Sequence, residues 1–196
     1  GLLPRRSDMR LEQIKRLPWA LRPANLPASQ PGRGYALYPL PIGGEILVIN
    51  LMARVFMKTM ADCPFVAADR ILAEMAGRTN IIFVDFHGEA TSEKIALGRY
   101  LDGRVTAVFG THTHVQTADE QVFANGTAYL SDLGMVGARD SILGRDINAV
   151  IKRFATGMHA RFAVVETGVT LHGAVVEFDR QTGRATGITR LQRVFS

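Results

Sequence analysis

From Asn80 to Asp132 the chain alternates short apolar runs with polar turns. Ile81–Phe86, Val105–Phe109 and Thr127–Ser131 each read as a strand. Between the first two, Thr91–Leu101 has helical character, with Thr91 or Ser92 as the cap before Glu93 and Lys94, and apolar Ile95 and Leu97 further along. Strand, helix and strand in succession predict a βαβ unit, whose right-handed crossover makes the strands parallel and brings their carboxyl ends to one sheet edge. Both strands are apolar on both faces, as expected of strands covered by layers above and below. Ligand sites of open α/β sheets gather at such an edge.

Elsewhere the pattern predicts a strand pair, Tyr35–Leu40 and Glu45–Asn50, turning through Pro41, Gly43 and Gly44. Helices follow at Pro64–Ala76, with Phe65, Ala68, Ile71 and Leu72 at helical spacing, and at Asp146–Thr156. The tail, Arg161–Val194, alternates as antiparallel strands do, with a turn at Asp179–Gly183. Near the start only Met9–Leu17 reads as helical, and Pro18, Pro23, Pro27 and Pro31 keep the chain extended to Gly34. The expected organisation is a Pro/Gly-rich lead-in over 1–34 and one α/β domain over 35–196, without repeats.

Composition narrows the classes. A chain of 196 residues that is 47% hydrophobic buries a single-domain core, and no apolar stretch reaches membrane-spanning length. The single Cys63 excludes an intramolecular disulfide and suits a reducing, cytoplasmic setting. The net charge of +5 favours a phosphate-bearing partner. Arg5, Arg6, Arg10, Lys15, Arg16 and Arg22 crowd the beginning as a solvated face; a nucleic-acid arm is the lesser reading, because few aromatics interleave them.

The candidate chemistry lies in three of the five histidines. His87 ends the first strand of the βαβ unit, and His112 and His114 follow the second within Gly110-Thr-His-Thr-His. In an extended segment residues two apart face the same way, so His112 and His114 could present nitrogen donors together. Neutral imidazoles suit first-row transition metals; two ordinary loop histidines are the competing reading. Asp85 reads as a buried acceptor that orients an imidazole or a loop amide. Asp132 reads as a turn or capping aspartate before a ligand, and Glu89, Glu93, Asp119 and Glu120 as solvated. His159 and His172 fall in the tail, away from the proposed edge.

These residues sit in longer blocks. Leu21-Arg-Pro-Ala-Asn25, Pro31-Gly-Arg-Gly-Tyr35, Arg54-Val-Phe-Met57, Asp85-Phe-His-Gly-Glu-Ala-Thr-Ser-Glu-Lys94, Tyr100-Leu-Asp-Gly-Arg104, Gly110 to Asp119 and Gly126 to Met135 occur in that order. With them the chain resembles the YmdB-like 2′,3′-cyclic-nucleotide 2′-phosphodiesterases, a branch of the calcineurin-like metallophosphoesterases. The resemblance implies a two-sheet sandwich flanked by helices (αββα). It also implies two divalent ions, Fe, Mn or Zn, with His87 and His112 on one and His114 on the other. The implied substrate is a small nucleotide phosphodiester opened to a 3′-phosphate by metal-acidified water, with Arg33, Arg54 and the Gly134 loop as candidate phosphate contacts.

The family also uses an upstream third with Gly-Asp, Gly-Glu-Asn and Gly-Asn-His segments, and none of these is present here. The expectation is therefore a fold incomplete at its N-terminus, holding one ion or none. The family's proton-donating histidine is missing, activity of the chain alone is doubtful, and self-association through uncovered surface is expected. A catalytically inactive phosphate- or nucleotide-binding module is the alternative.

Overall fold

The computed structural model describes Ile14, residues 17–41 and residues 43–195. The helix expected over Met9–Leu17 lies almost wholly outside the described residues. Among the described residues, nine strands and three helices make up the body: β1 (Tyr35–Pro39), β2 (Glu45–Met52), α1 (Pro64–Glu74), β3 (Ile82–His87), α2 (Thr91–Tyr100), β4 (Ala107–Thr111), β5 (Gln121–Val122), β6 (Ala128–Leu130), β7 (Val136–Ala138), α3 (Ile147–Thr156), β8 (Val169–Phe178) and β9 (Ala185–Val194). One sheet has the order β1-β2-β3-β4-β6-β5 and a second has the order β7-β8-β9. The fold is mixed α/β with two sheets, as the sequence reading expects.

β2, β3, β4 and β6 run parallel, while β1 and β5 close the two edges antiparallel. Alternation along these strands sorts their side chains into two layers. Leu47, Ile49 and Leu51 of β2, with Val84 and Phe86 of β3, face α1 and α2 and form the main core with Ala68, Ile71, Leu97 and Leu101. Each large side chain withdrawn there contributes about 1.5–3 kcal/mol relative to exposure. The opposite face packs on the second sheet through Ala107, Ala128 and Ala185, with Phe83, Phe109, Val176 and Ile188 around them. Phe83 meets Phe109 and Phe178 edge-on, at centroid distances of 5.8 and 6.3 Å.

The helix ends follow local chemistry. α1 starts on Pro64, whose missing amide hydrogen is no loss there. The Asp146 side chain accepts from the Ala149 amide at the start of α3, and Gly157 ends that helix in the left-handed conformation. For α2 the capping expectation fails: the cap residue is Ala90, without a side-chain bond, and Thr91 and Ser92 are already helical. Before β1, Asn25 is buried and bonds in both directions. Its amide donates to the Met52 and Asp62 carbonyls, and its oxygen accepts from the Met52 amide.

Candidate functional site

Register places the polar residues of the central strands on the second-sheet side of the large sheet. Asn50 is beside Asp85, Asp85 beside Phe109, and His87 beside Thr111. A chain of contacts runs through them. Asn50 Nδ2 donates to Asp85 Oδ2 at 2.7 Å, Thr111 Oγ1 donates to Asp85 Oδ1 at 3.1 Å, and His87 Nδ1 lies 3.0 Å from Thr111 Oγ1. His87 Nε2 lies 3.0 Å from His112 Nδ1, and His112 Nε2 lies 2.8 Å from Glu89 Oε2. Asp85 therefore orients an imidazole, as expected, but through Thr111, which the sequence reading passed over.

Burial raises the Asp85 carboxyl above its usual range, against the opposing pull of Thr111, His87 and Asn50. Burial also lowers His87, and the neighbouring His112 lowers it further. The pattern favours a neutral His87. With Asp85 ionised and able only to accept, the Thr111 hydroxyl spends its hydrogen on Asp85 and so accepts from His87 Nδ1–H. The His87 Nε2 lone pair then faces His112. His112 Nε2 donates its hydrogen to Glu89, and its Nδ1 faces His87.

The 3.0 Å contact between His87 Nε2 and His112 Nδ1 is bridged either by a hydrogen on His112 Nδ1 or by a cation held between the two nitrogens. Two nitrogens bound at roughly 2.1 Å and at right angles on one ion would be about 3.0 Å apart. The donor set thus fits a divalent ion, and the His112–Glu89 contact is the carboxylate partner that metal-bound imidazoles commonly have. Glu89, read from sequence as solvated, is half exposed yet engaged in this way.

The extended geometry expected for Gly110-Thr-His-Thr-His stops at Thr111. His112 and His114 have positive φ angles, 124° and 67°, which side chains of this bulk rarely adopt. Hydrogen bonds hold the loop in this shape: the Thr113 amide donates to Asp132 Oδ2 at 2.9 Å and the Leu133 amide to the Gly110 carbonyl at 2.9 Å. His87 and His112 are in contact. His114 is exposed and opens instead onto a neighbouring cavity of about 360 Å³.

Asp132 holds a turn, as the sequence reading expects, accepting from the Gly134 amide, and it is also fully buried and ion-paired with Lys94. Other carboxylates depart from the solvated reading. Glu93 accepts from the Arg54 and Val55 amides and so fixes the chain after β2. Asp119 accepts from the Ser131 amide and hydroxyl, and Glu120 pairs with Arg190 at 2.7 Å. His172 is also misplaced by the sequence reading, for it lines the same cavity as His114 because β8 crosses beneath the loop. His159 is exposed and joins neither group. Arg33 and Arg54 line other surface hollows.

A family model described as YmdB-like protein matches residues 6–191. The chain belongs to the YmdB-like family. Among YmdB-like relatives, it is 51% identical over 178 residues to the 2′,3′-cyclic-nucleotide 2′-phosphodiesterase of Bacillus subtilis, covering 91% of this chain and 67% of that protein. It is 34% identical to a putative phosphatase/phosphodiesterase of Mycoplasma genitalium, covering 89% of this chain and 63% of the relative. A crystal structure described as a novel phosphatase from Mycoplasma pneumoniae superposes with a TM-score of 0.84 at 30% identity, covering 96% of this chain and 68% of that one. A hypothetical protein from Thermus thermophilus gives 0.83 at 35% identity, covering 93% and 71%. The chain thus spans about two thirds of the length of these relatives. Among the described residues, no helix is long and apolar enough to cross a membrane.

Proposed function

We propose that this chain carries the histidine half of a dinuclear phosphodiesterase site acting on 2′,3′-cyclic nucleotides. His87 and His112 hold one divalent ion, of Fe, Mn or Zn, and His114 belongs to the other. The observation that carries this reading is the pair of facing ring nitrogens, His87 Nε2 and His112 Nδ1, at 3.0 Å. The name of the Bacillus subtilis relative supports the substrate class, a 2′,3′-cyclic phosphodiester opened to a 3′-nucleotide. The ions would acidify water and neutralise charge on the phosphoryl oxygens. The chain's own residues hold and orient: Asp85 and Thr111 set the His87 tautomer, Glu89 sets that of His112, and Asp132 shapes the loop that carries His112 and His114. A cytoplasmic setting accords with the unpaired Cys63.

A second reading, an inactive nucleotide-binding module, is favoured by one observation. Among the described residues no group of three or more His, Cys, Asp or Glu side chains is arranged to hold a metal. Two neutral histidines without a bridging carboxylate retain an ion weakly, and two-metal hydrolysis needs ions held roughly 3.5–4 Å apart.

The test is a Co(II) or Mn(II) titration of the purified chain, followed by turnover of 2′,3′-cyclic nucleotides. Binding of a single ion, lost in His112→Ala, with slow or no turnover, is the expected result. Metal binding unaffected by both His87→Ala and His112→Ala would overturn the assignment.

A further inference from the structure

Beside His114, between the His112–His114 loop and the second sheet, lies the cavity of about 360 Å³, within the range of small-molecule sites. Its floor carries an unmet hydrogen bond. Thr170 is 1% exposed, and its hydroxyl has no partner among the described residues. Buried hydroxyls are seldom left unpaired, so this one is free to donate to, or accept from, an occupant.

The wall offers a directed polar edge. His172 Nδ1 lies 3.0 Å from the Met135 carbonyl, which fixes the hydrogen on Nδ1 and leaves Nε2 as an acceptor. Gln192 Nε2, 3.3 Å away, meets that acceptor with one of its two hydrogens. Its second N–H and its Oε1 remain, a donor and an acceptor side by side, which is the complement of a heterocyclic base edge. Met135 adds a polarizable apolar surface suited to a flat ring. Arg139, exposed on the rim, pairs with no carboxylate among the described residues and shares the cavity with His114.

We propose that this cavity takes the nucleoside half of the substrate. The base lies against Met135 and its edge bonds to Gln192 and Thr170, while Arg139 meets the phosphate at the mouth, on the side where His114 lines the cavity. The phosphate placement rests on the phosphodiesterase reading; recognition of the base does not.

The test uses the 196-residue chain with chelator present. Adenosine 2′,3′-cyclic phosphate and its base-free analogue, methyl riboside 2,3-cyclic phosphate, are titrated while the His172 ring and Gln192 side-chain amide resonances are followed by NMR. The nucleotide is expected to bind at least about tenfold more tightly than the base-free analogue and to shift both resonances. Gln192→Ala and Thr170→Val, with unchanged melting temperatures, should each reduce that preference without weakening the analogue. Equal affinities, a preference that survives both variants, or no binding of either compound would overturn the proposal. Base preference without hydrolysis by a longer family member would sink the phosphodiesterase reading alone. Hydrolysis without base preference would sink the cavity alone.

Discussion

Lys94 Nζ lies 3.1 Å from Asp132 Oδ2 with both side chains sealed from water, at 2% and 1% exposure. The lysine comes from the first turn of α2 and the aspartate follows β6, so the pair ties the crossover helix to the loop that carries His112 and His114. Burial by itself would raise the Asp132 carboxyl. The Thr113 and Gly134 amides, the Thr113 hydroxyl and Lys94 together outweigh it and hold the group below its ordinary value.

Removing one partner of this pair leaves the other buried and charged, so Lys94→Met should cost about 3–5 kcal/mol. Urea unfolding checks the loss. The pH sign follows from the lowered carboxyl: its contribution is fully present above the unfolded value of 3.8 and disappears as pH falls through the lower native value. In Asp132→Asn that part of the acid-side slope should vanish. A slope unchanged by the substitution would show that other carboxylates dominate.

Thr111 stands between Asp85 and His87, at 3.1 and 3.0 Å. Thr111→Val keeps the shape and removes the hydroxyl, freeing the His87 tautomer. Divalent-ion affinity should fall by roughly 10–100-fold while the fold persists. Nitrogen NMR of the His87 ring should show Nδ1–H as the main tautomer in the parent chain and a mixture in the variant.

Gly110 opens the histidine loop because nothing larger fits: a Cβ there would lie 1.7 Å from the Ser131 carbonyl oxygen. Gly110→Ala should cost at least about 3 kcal/mol, as overpacking against backbone does. Gly77 is the opposite case: its φ is positive, 77°, and a Cβ there meets nothing. Gly77→Ala should cost only about 1 kcal/mol, the conformational part alone. Thermal melts of the two variants separate the effects.

α3 buries only Val150, while Ile151 and Phe154 on its surface are 54% and 81% exposed. Exposed apolar surface of this kind drives association. The chain should self-associate with rising concentration, and Phe154→Glu should shift it toward monomer in size-exclusion with light scattering. Concentration-independent monomer in the parent chain would exclude this role for α3.

Much of this protein is legible along the chain because it depends on local chemistry and a chiral rule. Apolar runs bounded by turns mark β2, β3, β4 and β6, and Pro64 and Asp146 mark helix starts. The right-handed βαβ crossover alone brings the ends of β3 and β4 together, and with them His87 and His112. β5 and β7 are too short, at two and three residues, for any periodicity to show. What only the tertiary structure decided is which polar groups meet across distant segments. Asp132 reads as a turn aspartate, and its buried pairing with Lys94 appears only when α2 packs on the sheet. Glu89 looks solvated until the positive φ of His112 turns its ring toward it. His172 joins His114 only because the second sheet folds across the first. In each case the deciding contact is made by side chains from separate elements, whose approach depends on how the layers stack.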